Sequence, residues 1–142
     1  MKKNIKKLLA ALVIMGMSVS CAFAKDYPDL SKNHWAYKQI EALSNEFVVV
    51  GYPDGTFKPD EPATRAEFAT MVIKALRQEN APLTKTFDFT DVPYSHWAYN
   101  TIQRAIAFDL IKNSSDGMFR PDDNITKAEA VSIIISAINT GE

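Results

Sequence analysis

The sequence predicts an all-α protein made of two tandem helix–loop–helix units. Three observations carry this: an internal repeat at a constant offset of 62 residues, apolar residues at helical spacing on both sides of a loop in each unit, and a capping signal before the second helix of each. The repeat is read directly. His34-Trp35-Ala36-Tyr37 returns as His96-Trp97-Ala98-Tyr99, and Ile40 returns as Ile102. Asp54-Gly55-Thr56-Phe57-Lys58-Pro59-Asp60 returns as Asp116-Gly117-Met118-Phe119-Arg120-Pro121-Asp122, and Thr64-Arg65-Ala66-Glu67 as Thr126-Lys127-Ala128-Glu129. No gap is needed between these blocks, so the two units are expected to share one backbone course. Length variation is confined to 77–88, where Ala81-Pro82 and polar neighbours read as a linker. The division expected is a leader over 1–24, a first unit over 25–76, the linker, and a second unit over 89–142.

The leader comes first. Lys2, Lys3, Lys6 and Lys7 precede an uncharged apolar run from Leu8 to Val19, and Ala22-Phe23-Ala24 closes it with a small-x-small pattern. This is the order of a secretion signal, and its run of roughly a dozen residues is short of the ~20 that a spanning helix needs. Loss of the leader takes four lysines and leaves 12 basic against 17 acidic residues, a net charge of −5. Such a chain lacks the clustered Lys and Arg by which nucleic-acid binders neutralise phosphate, so no nucleic-acid partner is expected. The single cysteine, Cys21, falls within the leader, so no internal disulfide is available to the exported part. A rival reading takes Ser18-Val19-Ser20-Cys21 as a lipoprotein acylation site, with Ser18 where that pattern has a leucine-like residue.

In the first unit, Ala36, Ile40, Leu43 and Phe47 fall at i, i+4, i+7 and i+11, one apolar stripe of a helix; Ala98, Ile102, Ala105 and Ile106 play this part in the second. A loop comes next. Tyr52-Pro53-Asp54-Gly55-Thr56-Phe57 reads as a tight turn with Pro at its second position and Gly where a positive φ is needed, returning Phe57 onto the helices. Ser114-Ser115-Asp116-Gly117 keeps Asp-Gly without the proline, and Val48-Val49-Val50 is too short and unpartnered to form a strand. The second helices carry apolar faces of Phe68, Met71, Val72, Ala75 and Leu76, matched by Ala130, Ile133, Ile134, Ala137 and Ile138. Thr64 with Glu67, and Thr126 with Glu129, form capping boxes at their starts.

Several residues have both a structural and a functional reading. Trp35 and Trp97 serve packing or sugar contact. Glu67 and Glu129 are explained by capping, and Asp54-Gly55 and Asp116-Gly117 by turn geometry. Arg65 and Lys127 have the weakest structural account, because each sits in the first turn of a helix, where the macrodipole disfavours a cation. An anionic ligand drawn to free N–H groups at that end would compensate. His34 and His96 have no second imidazole or cysteine at ligand spacing and read as structural; Asp116 to Asp123 lacks the carboxylate pattern of an EF-hand, so no metal or cofactor is expected. A nucleophile elbow and a phosphate-cradling glycine loop are missing, and the candidates recur in both units, which suits duplicated binding better than one active site, so no enzyme is expected.

Together, His-Trp-Ala at the first helix, Gly51-Tyr52-Pro53-Asp54-Gly55-Thr56-Phe57-Lys58-Pro59 in the loop and Thr-Arg-Ala-Glu at the second helix resemble the S-layer homology repeat, over 27–76 and 89–138. The resemblance implies all-helical repeats, usually three in a pseudo-threefold bundle, with inter-repeat grooves that bind acidic or pyruvylated wall glycopolymers or modified peptidoglycan. Two repeats then make an incomplete bundle. Phe47 and Asp109 stand where the family often has glycine, and Lys127 where it has arginine; Arg65, with its planar fork, is expected to be the better ligand of the two.

On this reading the chain binds cell-wall polysaccharide or peptidoglycan at the cell envelope through Arg65 and Lys127. Trp35, Trp97, the Asp54-Gly55 and Asp116-Gly117 turns, and the pairs Thr64/Glu67 and Thr126/Glu129 complete the expected site. The rival reading is a structural protein whose repeats pack against themselves, as a homo-oligomer, or against another envelope protein bearing such repeats. Mass spectrometry of the exported chain is expected to find Lys25 at its N-terminus; an acylated Cys21 would refute that cleavage.

Overall fold

The computed structural model describes residues 26–112 and 116–139, so the expected leader, with its two alternative processing sites, lies outside the described residues. Four helices form among the described residues: α1 (Tyr37–Asn45) and α2 (Arg65–Ala75) in the first repeat, α3 (Tyr99–Ala107) and α4 (Lys127–Asn139) in the second. Strands are absent from the described residues, whose one β-type pairing is an isolated antiparallel bridge between Thr64 and Asn124. The expected all-α architecture is therefore what is found.

Local chemistry sets where each helix starts. The residue before α1 is Ala36, which has no side chain to cap with; the Nδ1 atom of His34 accepts the Ala36 N–H at 3.2 Å instead. His96 does the same for Ala98 at 3.1 Å before α3. Each imidazole also lies against the indole next to it in sequence, with centroids 5.6 Å apart for His34–Trp35 and 5.8 Å for His96–Trp97. The second helices start from reciprocal capping boxes. Glu67 N–H donates to Thr64 Oγ1 at 3.2 Å and Thr64 N–H to Glu67 Oε2 at 2.8 Å, and Thr126 and Glu129 repeat this at 3.2 and 2.9 Å.

The first three helices end alike. Phe47 N–H reaches Ser44 O and Val48 N–H reaches Leu43 O, the paired bonds of a Schellman ending, and Arg77/Gln78 and Asp109/Leu110 repeat the pattern. The turning residue must be left-handed, and Phe47 (φ 57°), Arg77 (φ 56°) and Asp109 (φ 54°) are. Phe47 is thus no part of a buried stripe: the left-handed turn carries it off the helix and leaves it 74% exposed, and Leu43 is 42% exposed.

In the loop, Gly55 N–H closes the turn on Tyr52 O at 3.0 Å, and Gly55 takes the expected positive φ of 87°. Gly51 is held by close approach as well as by its φ of 67°. A Cβ there would lie 2.5 Å from Thr56 O and 2.6 Å from the Tyr27 ring. A carboxylate fixes the far side of each loop: Asp29 accepts the N–H groups of Phe57 and Lys58, and Asp91 those of Phe119 and Arg120. Burial acts to raise the Asp29 carboxyl, but these N–H donors hold it below the usual carboxylate range.

Helix-to-helix packing runs between repeats, not within them. Among the described helices, α2 packs against α3 and α4, while α1 and α2, or α3 and α4, do not meet. The main core joins Ala66, Ala69 and Ile73 of α2 to Ala98, Ile102, Ala105 and Ile106 around α3, with Phe119 and Ile133. The deepest face of α2 is thus displaced from the expected one; small Ala66 and Ala69 let α3 approach closely, while Phe68, Met71 and Val72 flank the contact half-buried. A lesser cluster of Tyr27, Leu30 and Ile40, with Phe57 against Tyr27 at 5.0 Å, supports α1.

Segment 77–88 is tied to the second repeat. Gln103, fully buried in α3, accepts Phe87 N–H at 2.7 Å and donates to Phe87 O at 2.8 Å. Arg104 Nε donates to Ala81 O at 2.8 Å. Gln103→Ala strands both Phe87 backbone groups and opens a void, so we expect a loss of about 2–4 kcal/mol in urea unfolding; a loss under ~0.5 kcal/mol would mean that water replaces the amide.

Candidate functional site

Where the two repeats meet, the start of α2 is inserted into the loop of the second repeat. Arg65 N–H donates to Asp123 O at 2.9 Å, Ala66 N–H to Pro121 O at 3.0 Å, and Ile125 N–H to Ala63 O at 3.0 Å. Two donors that a helix start leaves unmatched are therefore satisfied by the neighbouring repeat. The Arg65 side chain crosses with them. Its Nε donates to Phe119 O at 2.9 Å, its guanidinium lies 5.0 Å from the Phe119 ring centroid, and Nη1 pairs with Glu129 Oε1. The puzzle of a cation at a helix start is thus answered within the chain: a carbonyl, a ring face and a carboxylate of the second repeat compensate it.

Beside this junction an open cleft of about 420 Å³ is lined by Arg65, Lys112, Arg120, Asp123, Asn124, Thr126 and Glu129. Of the residues expected from sequence, the cleft gathers Arg65, Thr126 and Glu129. Asp116 reaches it through Arg120, whose guanidinium it pairs with, and that partnership raises the Arg120 pKa. Lys112 makes no ion pair among the described residues, so it presents a free ammonium at the rim.

The other expected residues lie elsewhere. Lys127 is exposed at the start of α4, with no partner of the kind Arg65 has. Asp54 binds Thr56 N–H at 2.9 Å and Thr56 Oγ1 at 2.6 Å, bonds that hold its carboxyl below the usual range, and with Gly55 it forms the turn of the first repeat. Gly117 has a φ of 71° in the matching turn. Thr64 and Glu67 cap α2, and Glu67 also accepts the Tyr52 hydroxyl at 2.8 Å, which with burial pushes that phenol up to about 12. Trp35 and Trp97 are 83% and 62% exposed, so their indoles are surface platforms and not core.

Lys112 and Arg120 were missed as candidates by sequence reasoning. A basic residue at the Arg120 position recurs as Lys58 in the first repeat and was visible as a motif member; Lys112 aligns with Val50, so the repeat gives no sign of it.

Known proteins share these repeats. Residues 26–69 and 88–131 each match the S-layer homology domain, with both boundaries displaced by the same 62 residues. Cell surface glycoprotein 1 of Acetivibrio thermocellus is 33% identical over 99% of this chain and 7% of its own length. A cellulosome-anchoring protein of the same organism is 38% identical over 81% of the chain and 26% of its own length. An endoglucanase of a Bacillus species is 32% identical over 80% of the chain and 12% of its own length. The chain spans about a quarter or less of each of these relatives.

Glu129 yields a pH test of the junction. The N–H and hydroxyl of Thr126 lower its carboxyl pKa against the opposing effect of burial, and Arg65 lowers it further. A depressed carboxylate contributes stability above its unfolded value of about 4.3 and loses it as pH falls through the folded value. The stability gap between wild type and Glu129→Gln in urea unfolding should hold from pH 7 to about 5 and close below about pH 4; a gap unchanged at pH 2 would mean that charge plays no part.

Proposed function

Because the chain belongs to the S-layer homology domain family, we propose that it holds an acidic cell-wall glycopolymer non-covalently at the junction of its repeats and so resides at the cell envelope. The observation that carries this is the cleft beside Arg65, where Lys112 and Arg120 reach the same open space as Asn124 and Thr126, and where of the two lining carboxylates, Asp123 and Glu129, the second is taken up by Arg65. Such a set suits a polyanionic sugar: the cations offset carboxylate or phosphate charge, and the amide and hydroxyl match sugar hydroxyls. Arg65 is oriented by its own repeat junction, where Glu129 offsets its charge, and supplies an ordered polar wall to the cleft.

The exposed indoles of Trp35 and Trp97 supply flat apolar faces outside the cleft for a chain that runs on across the surface. Lys127, the Asp54-Gly55 and Asp116-Gly117 turns, and the capping pairs Thr64/Glu67 and Thr126/Glu129 add further contacts in this reading, only Thr126 and Glu129 of them from within the cleft. The cellulosome-anchoring relative supports a holding role. The endoglucanase shares the repeats over only 12% of its length, so what the two chains have in common is the repeat, and the proposal extends to binding without hydrolysis.

A second reading, association of the repeats with one another or with a further envelope protein, is favoured by the exposed apolar residues Val131, Ile134, Ile135 and Ile138 of α4. For the first reading, sedimentation with purified wall sacculi should retain the chain, and removal of the secondary polymer should release it. Lys112→Ala with Arg120→Ala should weaken retention about tenfold or more at unchanged melting temperature. Retention equal to wild type in the double variant would place the polymer elsewhere.

A further inference from the structure

The residues that line the junction cleft divide by what their side chains already do. Arg65 is paired with Glu129, Arg120 with Asp116, and the Thr126 hydroxyl with Glu129. Lys112, Asp123 and Asn124 are exposed, and among the described residues their side chains make neither an ion pair nor a hydrogen bond. The unengaged part of the cleft is therefore an ammonium, a carboxylate and an amide, and its charges cancel.

The two repeats differ in how they treat that carboxylate. In the first, Lys58 pairs with Glu61 at 3.5 Å. At the offset of 62 these positions are Arg120 and Asp123, but Arg120 turns to Asp116 instead. The hydrogen bond and charge of Asp116 are the main causes that raise the Arg120 pKa, and Asp123 adds to them only through space. Lys112 stands where the first repeat has Val50, so the second repeat gains a cation and leaves an anion unpaired at the same cleft. Both repeats pin the backbone that carries this anion: the Asp123 carbonyl accepts the Arg65 N–H at 2.9 Å, and Asn124 is bridged to Thr64.

A polymer with acid groups alone would meet a like charge at Asp123, which disfavours binding. One with an ammonium beside its acid groups would meet a partner for each. We infer that the glycopolymer held in this cleft carries free amino groups as well as acid groups, with Asp123 receiving the ammonium, Lys112 the neighbouring carboxylate or phosphate, and Asn124 a sugar hydroxyl or amide. Asp123 selects for the free amine, because an acylated nitrogen keeps at most one N–H and no charge to offer it. Two chemical groups supply such an amine, an amino sugar without its acyl group and an aminoacyl ester on a hydroxyl, and the ammonium is common to both. This rests on the polymer-binding reading above and narrows its ligand.

The sign of one substitution separates the two kinds of polymer. On immobilised, purified secondary wall polymer, Asp123→Asn should bind about threefold more weakly than wild type, as suits a solvent-exposed ion pair, at unchanged melting temperature. N-acetylation of the polymer with acetic anhydride should lower wild-type binding to the level of the variant and change the variant far less. Loss of the difference after mild alkaline hydrolysis would assign the amines to aminoacyl esters, and loss only after nitrous acid deamination would assign them to amino sugars. Tighter binding by Asp123→Asn would overturn the inference, since relief of repulsion is what a purely acidic ligand produces. Equal or tighter wild-type binding to the acetylated polymer would overturn it as well, while leaving the polymer-binding reading standing. Absence of wild-type binding to the native polymer would instead remove that reading, and this one with it.

Discussion

The insertion of the α2 start into the second repeat is the constraint on which the rest of the structure depends. A helix that begins with Thr64-Arg65-Ala66 has unmatched donors and a cation at its positive end, and each of these is answered across the junction by Pro121, Asp123, Phe119 or Glu129. With that contact made, α2 is committed to face α3, and the core of Ala66, Ala69 and Ile73 against Ala98, Ile102 and Ala105 is the result. The two helices of a single repeat do not pack on each other; within a repeat the loop residues fill that space, as Phe119 does beside Phe89, and α2 adds the contact that joins the repeats.

The same junction shapes the candidate site. Arg65 is spent on structure first and reaches the cleft as an oriented wall, while Lys112 has no ion-pair partner among the described residues. A site built this way exists only where two repeats meet, so its geometry and the stability of the chain are linked through one side chain and its carboxylate partner.

Much of this was legible in the sequence, and the physical reasons differ by element. The fold class, capping boxes and Asp-Gly turns were readable because they depend on local spacing and on φ preferences that short stretches of sequence reveal. The buried stripes were readable in α3 and less so elsewhere. Leu43 and Phe47 were placed inside by periodicity, but among the described residues no helix packs on α1 to bury them. In α2, hydrophobicity drew attention to Phe68 and Met71, whereas close helix contact selected the small residues Ala66 and Ala69. The partners of Arg65 lie 54 and 64 residues away in sequence, beyond the reach of any local pattern. Lys112 differs between repeats, so duplication, the strongest signal in this sequence, concealed it.

The helix ends carry one more consequence. Phe47, Arg77 and Asp109 adopt a left-handed turn for which none has glycine's freedom, at a steric cost of about 1 kcal/mol each. Their downstream neighbours explain the choice: Val48 and Val49, and likewise Leu110 and Ile111, must leave the helical course to become buried. Helix length here is thus dictated by where the chain has to go next and not by a punctuation residue. Detached from the folded protein, these segments would carry no instruction to stop.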